Sequence, residues 1–70
     1  MTKVKVTLAA ARKNVGLTQA ALGKACGVSE STVANWEKGK SEPTIVQAQT
    51  ISSVTGIPLD SIIFLPKTTV

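Results

Sequence analysis

A row of hydrogen-bonding side chains recurs at helical spacing in the middle of this 70-residue sequence. Val33 and Trp36 lie three positions apart, so they mark the buried side of a predicted helix. The opposite side then carries a short, mostly polar row: Glu30, Ser31, Ala34, Asn35 and Lys38. Carboxylate, hydroxyl, amide and ammonium groups in such a row recognise a ligand through hydrogen bonds and charge. A helix with a small polar face and a cation at its end has a shape suited to the major groove of DNA.

Covalent and metal-based chemistry find little support in the composition. The sequence contains no histidine and a single cysteine, Cys26, so we expect neither an internal disulfide nor a zinc site. No nucleophile has a recognisable activating base, because histidine is absent and the acids form no clustered pair. We therefore expect no enzyme activity, no cofactor and no metal. Cys26 is interpreted as a small core residue rather than a reactive thiol.

The segment before the polar row contains the residues needed to hold it in place. Leu22 and Cys26 share one face of a preceding helix. Gly27 can adopt the left-handed conformation that ends a helix in a tight turn. Val28 can fill the gap between two helices, and Ser29 is a strong N-cap for the second one. These features predict two helices joined by a short turn.

The motifs GLTQ, GVS and NWEKGK, taken in register, resemble the Cro and phage-repressor family, the lambda-repressor-like helix-turn-helix DNA-binding domains. The resemblance runs from about Leu8 to Leu65. It implies an all-α fold of five compact helices in a single domain over residues 1–70. The core would cover about residues 7–65 and the helix-turn-helix about residues 18–38.

Helix caps and apolar spacing place the five helices along the chain. Thr7 caps the first helix and Thr18 the second, where Ala21 stands in place of a capping-box acid. Gly16 ends the first helix, and Pro58 begins the last, short one. The inward residues expected on the first helix are Leu8, Ala11 and Val15. Those expected on the fourth helix are Ile45, Ala48, Ile51 and Val54 or Thr55. Those expected in the last turn of helix are Leu59, Ile62 and Ile63. Short extended segments are expected at the termini, namely Lys3–Val6 and Phe64–Pro66.

Two assignments near the predicted core have alternatives, and one residue departs from the family pattern. Trp36 could stack on a base, but its spacing from Val33 favours a core anchor. The resemblance implies that Glu37 is buried against Arg12 of the first helix; the alternative is two independent surface charges. Gly23 departs from the family pattern, which prefers alanine at this close contact between helices.

The resemblance also implies a set of DNA-contacting residues. Gln19 matches a glutamine that contacts phosphate and supports the reading helix, and Thr18 is either a simple cap or a part of that phosphate site. Asn35 can bond adenine, while Glu30 either accepts from cytosine or only favours the helix N-terminus. Lys38 and Lys40 are expected to meet phosphates. The full candidate set is Thr18, Gln19, Ser29, Glu30, Ser31, Thr32, Asn35, Lys38 and Lys40.

Charge and hydropathy are compatible with this interpretation. The formal net charge is +4 and the sequence pI is about 9.7, which suits a polyanionic partner without proving one. No apolar run approaches the ~20 residues that span a bilayer, and the first residues lack the apolar core of a signal peptide. We expect a cytoplasmic protein of a bacterial host.

The expected function is that of a sequence-specific, double-stranded DNA-binding transcriptional regulator of the small Cro-like or prophage type. We expect a palindromic operator bound by a homodimer. The homodimer is expected to be weak or to assemble only on the DNA. Its surface could be the apolar C-terminal segment or the Lys3–Val6 segment, which could pair as a strand with Ile63–Leu65 or with a second chain. The alternative is an antitoxin-like protein-interaction module on the same fold. The apolar residues of the C-terminal segment are Leu59, Ile62, Ile63 and Phe64.

Overall fold

The computed structural model describes residues 5–64, and this part of the chain is mostly helical. It contains four α-helices, one 3-10 turn and a pair of two-residue strands. In chain order these elements are β1 (Val6–Thr7), α1 (Leu8–Asn14), α2 (Gln19–Cys26), α3 (Glu30–Lys38), α4 (Ile45–Thr55), the 3-10 turn (Leu59–Ser61) and β2 (Ile62–Ile63). None of the helices in residues 5–64 has the length and apolar character needed to cross a membrane.

The fifth helix predicted from the sequence is replaced by the 3-10 turn and β2. Ile62 and Ile63 pair in parallel with Val6 and Thr7 of β1. β-branched isoleucines favour extended backbone, and the pairing satisfies backbone groups that a helix would have bonded internally. The expectation of an extended N-terminal segment holds for Val6, whereas Lys3, Leu65 and Pro66 lie outside the described residues.

Each α-helix begins at the cap residue that its sequence indicates. The side-chain oxygens of Thr7, Thr18, Ser29 and Thr44 each accept the backbone N–H three positions later. Such a bond satisfies one of the free amide groups at a helix start. At Thr44 the Gln47 side chain also accepts from the Thr44 backbone N–H, which completes a capping box. Local sequence therefore determines where the helices start.

The core forms where the four helices and β2 meet. Leu22 and Val33 are fully buried, and Trp36 retains only 3% exposure. This burial confirms Trp36 as a core anchor rather than a base-stacking residue. Leu17, Val28 and Phe64 are partly buried against the same cluster. The residues of the buried cluster are Leu8, Leu22, Val33, Trp36, Ile51 and Ile62.

Four residues predicted to face inward are exposed: Val15, Ile45, Leu59 and Ile63. Ile63 follows the buried Ile62 on β2, where successive side chains point to opposite sides of the strand, and Leu59, in the 3-10 turn, is 38% exposed. Val15 is exposed because α1 ends at Asn14 and Val15 is its C-cap, outside the helical face. Ile45 is 75% exposed. It is the first residue of α4, and because helical side chains lean toward the N-terminus of their helix, the Ile45 side chain extends beyond the core. Cys26 is half-buried and packs against the core cluster, and of the two alternatives on α4 it is Thr55 rather than Val54 that faces inward.

Candidate nucleic-acid interface

The turn between α2 and α3 is closed by two backbone hydrogen bonds. Gly27 has φ of 74°, a left-handed conformation that glycine adopts without steric cost. Its N–H donates to the Lys24 carbonyl at 3.3 Å, and the Val28 N–H donates to the Gly23 carbonyl at 2.8 Å. This pair of bonds is a Schellman ending, with Val28 packing against the core. The turn therefore fixes the direction in which α3 leaves α2.

Gly23 brings the turn backbone directly onto α2. A Cβ atom at this position would lie 2.7 Å from the Val28 carbonyl oxygen and 3.1 Å from that of Ser29. Both neighbours are backbone atoms, which cannot rotate away as a flexible side chain can. The chain has glycine where the family pattern prefers alanine. This glycine lies where α2 and the turn that follows it approach each other unusually closely.

The start of α3 is held by Ser29 and Thr32. The Ser29 Oγ accepts the Thr32 backbone N–H at 3.2 Å and lies 3.0 Å from the Thr32 hydroxyl. The two hydroxyl groups are therefore bonded to each other, and Thr32 is half-buried. Glu30 occupies the first turn, where a carboxylate is stabilised by the partial positive charge of the helix start.

The polar row predicted on α3 lies on the side of the helix away from the core. Glu30, Ser31 and Lys38 are exposed, while Ala34 and Asn35 are partly exposed. The residues on the opposite side, Val33 and Trp36, are buried. The helical spacing seen in the sequence is confirmed, and the outward side chains are short except at the two ends of the row.

Lys40 follows α3 in a second Schellman ending. Its backbone N–H donates to the Asn35 carbonyl at 2.9 Å, beside Gly39 with φ of 78°. Lys38, Lys40 and Lys24 are all exposed. Lys38 at the end of the polar row and Lys40 after it therefore extend into solvent from a fixed backbone.

A buried ion pair joins α1 to α3. Arg12 Nε lies 2.6 Å from Glu37 Oε2, and Arg12 Nη2 lies 3.1 Å from Glu37 Oε1. The two side chains are only 10% and 9% exposed. Arg12 also donates from Nη1 to the Leu17 carbonyl at 2.8 Å, which ties down the loop before α2. The predicted Arg12–Glu37 pair is confirmed, and the alternative of two surface charges is wrong.

Gln19 completes this network from α2. Its Nε2 donates to Glu37 Oε1 at 3.0 Å, so the amide donor is used inside the protein. The sequence interpretation assigned Gln19 a phosphate contact and a supporting role without identifying this bond. A carboxylate can accept several hydrogen bonds, so Glu37 can take a second donor beside Arg12. Nothing in the sequence indicates that Gln19 is that donor.

The network sets the protonation of both partners. Burial by itself raises the pKa of the Glu37 carboxyl, but hydrogen bonds from Arg12 and Gln19 and the charges of Arg12 and Lys13 outweigh it, and that pKa lies below its ordinary value. The hydrogen bond to Glu37 raises the pKa of Arg12, against the opposite effect of burial. Both groups are therefore charged at neutral pH.

Thr18 acts as the cap of α2. Its Oγ1 accepts the Ala21 backbone N–H at 3.0 Å, and Ala21 offers no side chain to complete a capping box. The first amide groups of a helix lack a partner within the helix, so the exposed start of α2 presents donors and partial positive charge. This arrangement is compatible with the phosphate site expected at Thr18 and Gln19.

Comparison with known proteins agrees with the geometry of the α2–turn–α3 unit. A family model described as helix-turn-helix matches residues 8–62, most of the chain. No curated protein and no solved structure matches the chain significantly. The matched family is one of double-stranded DNA-binding transcription regulators and is not an enzyme family. The chain belongs to the Cro and phage-repressor family of helix-turn-helix proteins.

Proposed function

We propose that this protein is a sequence-specific transcription regulator of the small Cro-like or prophage type and that α3 reads the major groove of its operator. The observation that carries the proposal is the outward row on α3, which is polar and short while the inward side of the same helix is fixed in the core. A helix of this kind fits the groove without steric conflict. The domain as a whole would span residues 1–70.

Within the row, the side chains differ in the information they can read. Asn35 can form a bidentate bond to adenine, and Glu30 can accept from the amino group of cytosine. Ser31 can bond to several bases and therefore discriminates little. Thr32 lies beside the row with its hydroxyl bonded to Ser29, and its proposed role is a contact to a nearby phosphate or, through its own methyl group, to a base edge. Ala34 offers no long side chain, which favours partial readout through DNA shape.

The remaining candidates would position the protein on the backbone. Lys38 and Lys40 are proposed to pair with phosphates and to carry no sequence information. Because the Gln19 amide donates to Glu37, the phosphate at the α2 start is proposed to meet backbone N–H groups of Thr18 and Gln19 rather than that amide. Ser29 would act mainly by fixing the start of α3.

A single reading helix contacts too few base pairs to identify one site in a genome. We therefore propose that two copies bind a palindromic operator, with half-sites about one helical turn apart. The homodimer would be weak in free solution or would assemble on the DNA. The proposed location of the protein is the bacterial cytoplasm, where it would bind chromosomal DNA.

Selection of binding sites from random duplex DNA, followed by footprinting, tests the proposal. We expect a recurring sequence with two-fold symmetry and protection of the major groove in each half-site. Recovery of unrelated sequences after several rounds would show that the protein does not recognise a specific operator.

A further inference from the structure

Ala34 is the one residue of the polar row on α3 whose side chain cannot form a hydrogen bond. It lies in the middle of the helix Glu30–Lys38 and is partly exposed. Its backbone N–H and carbonyl are used by the hydrogen bonds that run four positions apart along an α-helix. Ala34 therefore offers a ligand one methyl group and no polar atom.

Two long charged side chains bracket this methyl group. Glu30, Ala34 and Lys38 are spaced four positions apart, so they follow one another along the same side of α3. Glu30 and Lys38 are both exposed, and about 12 Å of helix axis separates them. Ser31, three positions before Ala34, is also short. The middle of the row is thus a shallow gap whose floor is the Ala34 methyl group.

The four bases differ in what they can place against such a gap. In the major groove adenine, guanine and cytosine present hydrogen-bond donors and acceptors, whereas thymine also presents its 5-methyl group. A donor or acceptor held against the Ala34 methyl group would lose water without gaining a partner, which weakens binding. The methyl group of thymine loses no hydrogen bond there and gains apolar burial. Thymine is therefore the base that fits the gap best.

We propose that Ala34 is a specificity-determining residue that contacts the 5-methyl group of a thymine in the operator. The inference rests on the proposed function, because it names one base that α3 would read. Asn35 follows Ala34 by about 1.5 Å along the helix axis, and successive base pairs are about 3.4 Å apart. The thymine is therefore expected in, or directly beside, the base pair whose adenine Asn35 would bond. This direct contact acts in addition to the readout through DNA shape.

Thr32 also carries a methyl group beside the row and provides a matched control. Its hydroxyl lies 3.0 Å from Ser29 Oγ, and its side chain is half-buried. Positions 32 and 34 are about 200° apart around a helix of 3.6 residues per turn. The methyl groups of Thr32 and Ala34 therefore point to different sides of α3 and cannot contact the same thymine methyl group.

The test replaces each thymine of the selected operator, one at a time, by deoxyuridine, which lacks only the 5-methyl group. Titrations of the full chain at one salt concentration give the dissociation constant for each uracil duplex relative to the thymine duplex. We expect this ratio to be about four at one thymine of each half-site, because burial of a single methyl group is worth about that factor. The ratio should be near one at thymines that the protein does not contact.

Two variants assign the contact to its residue. Ala34→Gly removes the methyl group of the protein and should bring the ratio at the sensitive thymine to about one. Thr32→Ser removes a methyl group but keeps the hydroxyl that bonds Ser29, so the ratio at that thymine should stay near four. Each ratio compares two duplexes with the same protein, so the lower helix propensity of glycine cancels. An effect of uracil on the DNA alone would persist in Ala34→Gly.

Three results would overturn the inference while leaving the proposed function intact. The selected operator contains no thymine at which loss of the methyl group weakens binding, or Ala34→Gly keeps the wild-type ratio, or Thr32→Ser rather than Ala34→Gly removes the ratio. The failure of the proposed function gives a different result, because no operator is then selected from random duplex DNA. In that case the assignment of Ala34 fails together with the proposed function.

Discussion

Arg12 on α1 and Glu37 on α3 are joined by a hydrogen bond of 2.6 Å between Nε and Oε2, although 25 positions separate them in the chain. Glu37 directly follows Trp36, so the same turn of α3 supplies a core anchor and an ion-pair partner. Gln19 adds a bond from α2. The helix that carries the polar row is therefore fixed from two other helices on its inner side.

Removal of one member of the Arg12–Glu37 pair should be costly, while removal of both should cost much less. Glu37→Met leaves the Arg12 guanidinium without its counter-charge, and we expect a loss of about 3 kcal/mol in the free energy of unfolding. The double variant Arg12→Met/Glu37→Met replaces the pair by apolar packing. Urea unfolding of the wild type, both single variants and the double variant gives the coupling energy. Additive losses would show that the two side chains do not act as a pair.

The depressed pKa of Glu37 predicts a loss of stability in acid. The unfolded chain, with a glutamate pKa of about 4.3, takes up a proton at higher pH than the folded chain does. The contribution of Glu37 to stability is therefore complete above that unfolded pKa and is lost as pH falls through the lower folded pKa. The free energy of unfolding, measured by urea from pH 7 to pH 3, should fall more steeply for the wild type than for Glu37→Gln. Parallel curves for the two proteins would contradict this role.

Gly23→Ala should destabilise the protein even though alanine is the better helix former. The added methyl group would lie 2.7 Å from the Val28 carbonyl oxygen, and such overpacking costs roughly 1–3 kcal/mol, against a gain of ~1 kcal/mol in helix propensity. Ala25→Gly, at an exposed position of α2, calibrates that gain. Thermal unfolding should show a lower midpoint for Gly23→Ala. A higher midpoint would mean that the turn moves away from α2 easily.

Asn35 and Lys40 should affect DNA binding in different ways. Asn35→Ala removes a proposed bidentate contact and should cost about 1–3 kcal/mol on the preferred site, with lost discrimination at one base position. Lys40→Ala removes a proposed phosphate contact and should weaken all duplexes alike. Competition binding against operator variants with single base changes separates the two effects. Uniform losses from both substitutions would remove Asn35 from the set of reading residues.

Local signals predicted much of the helical part of the fold. Ser29, Gly27 and Gly39 act through their own backbone and the nearest residues, so their type and position suffice to place α3. Trp36 could be assigned to the core because three-residue spacing from Val33 leaves only one buried side. The Arg12–Glu37 pair joins residues far apart in sequence and was predicted only through the family resemblance.

The remaining features depend on contacts that local patterns do not contain. The residue types of Ile62 and Ile63 are compatible with either a last turn of helix or a strand. The strand forms because these residues pair with β1. Ile45 matches the inward spacing of α4 but lies beyond the residues on which it could pack. At the candidate site, the outward position of Asn35 follows from periodicity, whereas the use of the Gln19 amide by Glu37 depends on how three helices come together.

The most direct measurement is a pair of binding titrations, one with the selected operator duplex and one with a shuffled duplex of the same composition. We expect the operator to bind at least ~10³-fold more tightly at physiological salt. We also expect the affinity for both duplexes to fall as salt rises, by roughly 0.9 log units per log unit of salt for each phosphate neutralised. Equal affinities for the two duplexes, or affinities that do not change with salt, would contradict sequence-specific recognition of DNA by α3.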